Sequence, residues 1–91
     1  MNKYSVVKKP ADILQETARK AKVLRKRLGY SQKELAERSD VSLGSIRRFE
    51  QSGQISFESL LKIALILNRL TDFESVFTIL VNQERVERLF E

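Results

Sequence analysis

The 91-residue sequence has no cysteine, no histidine and no tryptophan, and only one methionine and one proline. Without thiols there is no disulfide framework and no cysteine nucleophile. Without imidazoles there is no histidine base, and the two absences together remove zinc-finger ligation. A nucleophile, a base and an orienting group would have to be assembled from lysine, tyrosine and carboxylates alone. A binding module, with no cofactor and no metal, is therefore expected in place of an enzyme. Long apolar runs are missing too. The longest, Leu60 to Leu67, is interrupted by Lys62 and falls well short of the roughly 20 residues that span a bilayer. Residues 1–10 lack the apolar stretch of a signal peptide. The chain has no repeat and no low-complexity tract. These features predict one small, soluble, cytoplasmic domain with no membrane partner.

What the sequence does have is positive charge, unevenly placed. Seventeen Lys and Arg face twelve Asp and Glu, for a net +5. Residues 1–48 carry thirteen basic and five acidic groups (+8), whereas residues 49–91 carry four and seven (−3). One half is suited to a polyanion and the other to a different task. Charge alone leaves three readings open: nucleic acid, an anionic membrane surface, or a solvated basic face with no partner.

Apolar spacing predicts helices. Between Asp12 and Leu28, one stripe holds Ile13, Leu14, Thr17, Ala18, Ala21, Leu24 and Leu28, with Arg19, Lys20, Lys22, Lys26 and Arg27 on the rest. Pro10 suits its first turn and Gly29 its C-terminal cap. Ser31-Gln32-Lys33-Glu34 has the form of a capping box opening a short second helix that ends at Ser39-Asp40. A third runs from Ser42 to about Gln51, with Val41, Ile46 and Phe49 inward, and Ser52-Gly53-Gln54 breaks it. Ser56 caps a fourth, Phe57 to Leu67, with Glu58 in its first turn. Thr71-Asp72-Phe73-Glu74 reads as a second capping box, opening a fifth helix through at least Phe77. The fold class is all-α, with five helices. Val76 to Val81 suits either a strand or more helix, and Gln83 to Glu91 puts Val86, Leu89 and Phe90 on one side of a short helix.

Leu35 and Ala36 in one short helix, Val41 in the turn, and Ile46 and Phe49 in the next suit two helices packed steeply around a tight turn. Ala36 must be small to let them cross. The outer face of the second (Leu43, Gly44, Arg47, Arg48) is then rigid, free and basic, as entry into a DNA major groove requires.

The stretch from about Ala18 to Phe77 resembles the helix-turn-helix domain of Cro and phage-repressor regulators, the XRE family. The residues that carry the resemblance are Leu28-Gly29-Tyr30-Ser31-Gln32-Lys33-Glu34-Leu35-Ala36, Val41-Ser42, Ile46-Arg47-Arg48-Phe49-Glu50 and Ser59-Leu60-Leu61-Lys62-Ile63-Ala64. Within that family, residues 41–50 and 70–77 are similar to HipB-like antitoxins. Three positions depart from the family pattern. Asp40 fills a turn position usually held by Gly, Ser39 a usually apolar one, and Leu43-Gly44 replace polar base-reading residues.

The resemblance implies site roles. Gln32 at the start of the second helix would bond a DNA phosphate, and Ser42, Leu43, Gly44 and Ser45 would face the groove. Arg47 and Arg48 would read bases or grip phosphates, Arg bonding bidentately to guanine O6 and N7. Arg25 and Glu50 would form a structural pair. Lys8 and Lys9, in the basic stretch 1–11, suit an arm along the DNA or a free tail equally. The expected division is an arm over 1–11, a DNA-binding domain over 12–77 with its helix-turn-helix at about 31–51, and an extension over 78–91. The second stripe of helix four (Phe57, Leu61, Leu65), with Phe73, Val76, Phe77, Ile79 and Val81, would serve a homodimer or a partner. The implied function is a sequence-specific repressor of double-stranded DNA that regulates its own operon as the antitoxin of a HipA-type kinase toxin. The competing readings are a phage-type repressor without a toxin and a protein adaptor of the same fold without DNA readout.

Overall fold

The computed structural model describes residues 7–79. Four α-helices follow one another: α1 (Pro10–Arg27), α2 (Gln32–Ser39), α3 (Leu43–Ser52) and α4 (Phe57–Ile66). A single 3-10 turn, Leu70–Phe73, comes after them, and there is no strand among the described residues.

Local chemistry sets each boundary. Pro10 is the first helical residue of α1, where its missing N–H costs nothing. The Asp12 carboxylate accepts the Lys9 amide at 2.9 Å. At the other end, Gly29 (φ 81) lets the amides of Gly29 and Tyr30 turn back onto the carbonyls of Lys26 and Arg25, at 3.0 and 3.1 Å. Ser31 and Glu34 form the reciprocal capping box, each bond 3.0 Å long. Ser42 and Ser56 cap α3 and α4 through the amides of Ser45 and Ser59, both at 3.1 Å. Asp40 turns the chain from α2 to α3 in the left-handed region (φ 60), and Asn68 does the same after α4 (φ 62).

The core lies where α1, α2, α3 and α4 converge. Ala18, Leu35, Val41, Ile46, Phe49, Ile63, Ala64 and Leu67 are buried, and Ala21, Leu24, Ala36, Ile55, Leu60 and Ile66 pack around them. Leu35, Ile46 and Ile63 are fully enclosed, each contributing about 1.5–3 kcal/mol by leaving water. Ser39 is also buried, and its hydroxyl donates to the Leu35 carbonyl at 2.6 Å, so a polar residue sits in this small core without an unmatched donor.

The structure corrects two expectations. Ile13, Leu14 and Leu28, placed on the inward stripe of α1, are 48, 44 and 41% exposed. On α1 only Ala18 and Arg25 are fully buried, with Glu16, Thr17, Ala21 and Leu24 half-buried, so side-chain burial centres on the middle of the helix. The fifth helix is not formed either. After the 3-10 turn the backbone continues as isolated turns, and Phe77 adopts φ 63. Val76, Phe77 and Ile79 are exposed, so no apolar face is buried there to stabilise a helix. A helix that short does not hold without tertiary packing, and Val76, Thr78 and Ile79 are β-branched. Leu80, Val81 and Gln83 to Glu91 lie outside the described residues.

Candidate nucleic-acid interface

Helix α3 is amphipathic in the way the sequence implies. Ile46 and Phe49 face the core, 0 and 2% exposed, and Leu43 is half-buried. Gly44, Ser45, Arg47, Arg48 and Gln51 are exposed. The presented face is therefore basic and polar, backed by a rigid core.

Two features hold α3 in place. One is polar. Arg25 of α1 donates from Nε and one terminal nitrogen to the two carboxylate oxygens of Glu50, at 2.7 and 3.0 Å. The side chains are only 8 and 4% exposed. A fork-to-fork pair of this kind fixes orientation as well as distance. The other terminal nitrogen of Arg25 reaches the Tyr30 carbonyl at 2.8 Å. Gln32 of α2 donates its side-chain amide to the same carboxylate at 2.9 Å. Glu50 thus ties three helices together. Burial pushes its carboxyl up, but the hydrogen bonds from Arg25 and Gln32, with the charges of Arg25 and Lys22, outweigh that and leave it below the ordinary value.

The second feature is steric. Gly53 ends α3 at φ 81, and a Cβ there would lie 2.6 Å from the backbone carbonyl of Leu14 in α1. Only glycine allows α3 to come this close to α1. Nothing in the spacing of apolar residues signals that approach.

The residues expected to meet DNA stand at the starts of α2 and α3 and along α3. At the start of α2, Ser31 takes the Glu34 amide, and the other amides of the first turn have no partner inside the helix. Gln32 stands at that end, half-buried, its amide group directed to Glu50. At the start of α3 the Ser42 hydroxyl accepts the Ser45 amide and donates to Ser45 Oγ at 2.8 Å. Arg48 hydrogen-bonds Gln54 in the α3–α4 loop and lines a hollow with Ser45, Ile55, Ser56 and Ser59 at the start of α4. Arg47 is exposed and forms no salt bridge among the described residues. Lys8 is paired with Glu16 at 2.8 Å, and that bond lowers the Glu16 carboxyl against the opposing effect of burial.

Sequence reasoning missed the Gln32–Glu50 bond, the Arg48–Gln54 bond and the stacking of Arg38 over the Tyr30 ring at 4.7 Å. The first joins two different helices and depends on how they cross; the second spans the end of α3 and the loop after it, and the third runs along α2 from the residue before its cap.

The second stripe of α4 is only partly covered. Phe57 and Leu65 are 58 and 57% exposed and Leu61 is half-buried. Phe57 meets Phe73 edge to face, ring centres 5.9 Å apart. Val76, Phe77 and Ile79 extend the apolar exposure. Val81, the last residue expected there, is outside the described residues. Among the described residues no acidic cluster could hold a metal ion, and no helix is long and apolar enough to cross a membrane.

Compared with protein-family models, residues 22–73 match a helix-turn-helix family. The match runs from the middle of α1 to Phe73 and so covers more than half of the chain, including α2, α3 and α4. Comparisons with curated proteins and with solved structures gave no match. That family is a DNA-binding regulatory one and not an enzyme family. With its two short crossing helices, its serine caps and its exposed α3 face, the chain belongs to the XRE-type helix-turn-helix family.

Proposed function

We propose that the protein is a sequence-specific, double-stranded DNA-binding repressor that places α3 in the major groove. The observation that carries this reading is the exposed face of α3, with Arg47 and Arg48 on a helix pinned to α1 and α2 through Glu50. Arg is the residue best suited to guanine edges and to phosphates. The partnerless amides at the start of α2, beside Gln32, suit a phosphate of the backbone. Ser42, Leu43, Gly44 and Ser45 form the groove-facing first turn of α3.

We place a homodimer contact on the apolar surface formed by Phe57, Leu61, Leu65, Phe73, Val76, Phe77 and Ile79. Exposed apolar clusters of this sort commonly mark association surfaces, and palindromic operators require a twofold protein. The similarity of residues 41–50 and 70–77 to HipB-like antitoxins supports a narrower role within this reading: autoregulation of an operon shared with a HipA-type kinase toxin.

The test is binding to the DNA immediately upstream of the protein's own gene, at two salt concentrations, beside an Arg47→Ala/Arg48→Ala double variant. A repressor binds that DNA in preference to random duplex, with log K falling at about −0.9 per phosphate neutralised against log salt, and the variant loses the preference. An adaptor without DNA readout shows neither the preference nor the salt slope.

A further inference from the structure

Helix α3 carries a glycine that nothing inside the molecule requires. Gly44 lies in its first turn, is exposed and has no positive φ. A Cβ built there would meet no atom of the chain within 4 Å. Alanine would be the more stable choice in a helix, and the fold would accept it. Gly53, by contrast, faces the Leu14 backbone and has a positive φ, so its reason is internal. The reason for Gly44 is then to be sought outside the chain, where a bare helix backbone permits a close approach.

The flanking residues divide around it. Ser45 and Arg48 lean toward α4: Arg48 is held by Gln54, beside the hydroxyls of Ser56 and Ser59 at the start of that helix. Glu50 leans toward α1 and α2, where it meets Arg25 and Gln32. Arg47, one turn after Leu43, is exposed and forms no salt bridge among the described residues. A guanidinium already hydrogen-bonded to a loop at the edge of α3 is placed for a backbone phosphate. An exposed one beside a side-chain-free turn is placed for the floor of the groove.

We propose that Arg47 is the base-reading arginine, that Gly44 sets the depth at which α3 seats in the groove, and that Arg48, positioned by Gln54, grips the DNA backbone without reading sequence. This rests on the DNA-binding reading above. It assigns separate tasks to two adjacent arginines of the same chemistry, which neither the sequence nor the family match distinguishes.

The test begins with selection of preferred sites from a randomised 30-base-pair duplex library (the length is about three helical turns) by the wild-type protein. Wild type, G44A, R47A, R48A and Q54A are then titrated on the selected duplex and on a scrambled one, at two salt concentrations, with thermal unfolding of each variant recorded. Arg47→Ala is expected to lower the ratio of selected to scrambled affinity by about tenfold or more. Arg48→Ala weakens both duplexes alike and reduces the salt slope by about one, and Gln54→Ala does so to a smaller extent. Gly44→Ala unfolds at the same temperature or higher, yet binds the selected duplex about tenfold or more weakly, as expected for the loss of one good base contact. The assignment is overturned if Arg48→Ala collapses the ratio while Arg47→Ala lowers both affinities alike, or if Gly44→Ala binds as wild type. If wild type enriches no sequence and shows no salt slope, the DNA-binding reading itself fails, an outcome distinct from a wild type that selects sites with its arginines in reversed roles.

Discussion

Arg25 and Glu50 meet across 25 residues of sequence as a two-bond pair, 2.7 and 3.0 Å, with their side chains almost wholly removed from water. Neither is compensated by solvent, so each depends on the other. A buried pair is not a large net source of stability, because desolvation offsets much of the attraction, but breaking one leaves an unmatched charge. Arg25→Ala should therefore lower the unfolding free energy by about 3–5 kcal/mol. Lys22→Ala, one turn earlier and exposed, should change it by no more than about 0.5 kcal/mol. Urea unfolding of the two variants checks the contrast, and equal effects would mean that the pair does not hold α3.

The same carboxylate makes stability depend on acid. Glu50 has a folded pKa below its unfolded value, so the unfolded chain binds its proton first as pH falls. The stabilisation is complete above the ordinary Glu value of about 4.3 and is lost as pH drops from there through the lowered folded value. Glu34, lowered chiefly by the Ser31 amide, and Glu16, lowered chiefly by Lys8, act with the same sign, though Glu34 is exposed and Glu16 only half-buried, so solvent screens both. Melting temperatures recorded from neutral pH downward should fall below about pH 4.5 in wild type. Glu50→Gln should start lower at neutral pH and fall less steeply. An unchanged slope in that variant would assign the acid sensitivity elsewhere.

Two glycines with the same φ should respond differently to alanine. Gly29 and Gly53 both sit at φ 81, but a Cβ at Gly29 has open space whereas one at Gly53 strikes the Leu14 backbone at 2.6 Å. Gly29→Ala should cost about 1–2 kcal/mol, the left-handed penalty alone. Gly53→Ala adds overpacking against backbone that cannot rotate away, about 1–3 kcal/mol more. Chemical denaturation distinguishes them, and matching losses would show that the α1–α3 approach is looser than 2.6 Å implies.

The apolar surface around α4 supports a prediction about association. Leu65 is 57% exposed, so Leu65→Lys removes little from the core and should shift unfolding of the subunit by no more than about 0.5 kcal/mol. In the proposed homodimer the same change buries a charge against apolar side chains. Sedimentation should show the dimer weakened by about tenfold or more, in line with a residue central to an interface. A dimer that persists unchanged would place the contact on another face.

Serine caps, the Ser31–Glu34 box, Pro10 at the first turn and Gly29 past the last of α1 all act within four residues. The sequence alone therefore determined where these helices begin and end. It also determined that Val41, Ile46 and Phe49 face inward, because helical spacing leaves one answer. It did not determine whether residues 74–79 would be helical. The capping pattern at Thr71 is local, while a helix there needs an apolar face to be covered, and Val76 and Phe77 find no cover among the described residues. Ile13, Leu14 and Leu28 show the same limit: periodicity marks a stripe but not how much of each side chain on it the neighbouring elements cover. Only the tertiary structure brought Glu50 to Gln32 as well as to Arg25, turned Arg48 toward Gln54, and set Gly53 against Leu14. The contacts of Glu50 with Gln32 and of Gly53 with Leu14 depend on the crossing of short helices, which the packing of whole side chains decides and which no window of sequence contains, whereas the Arg48–Gln54 bond depends on the path of the loop after α3.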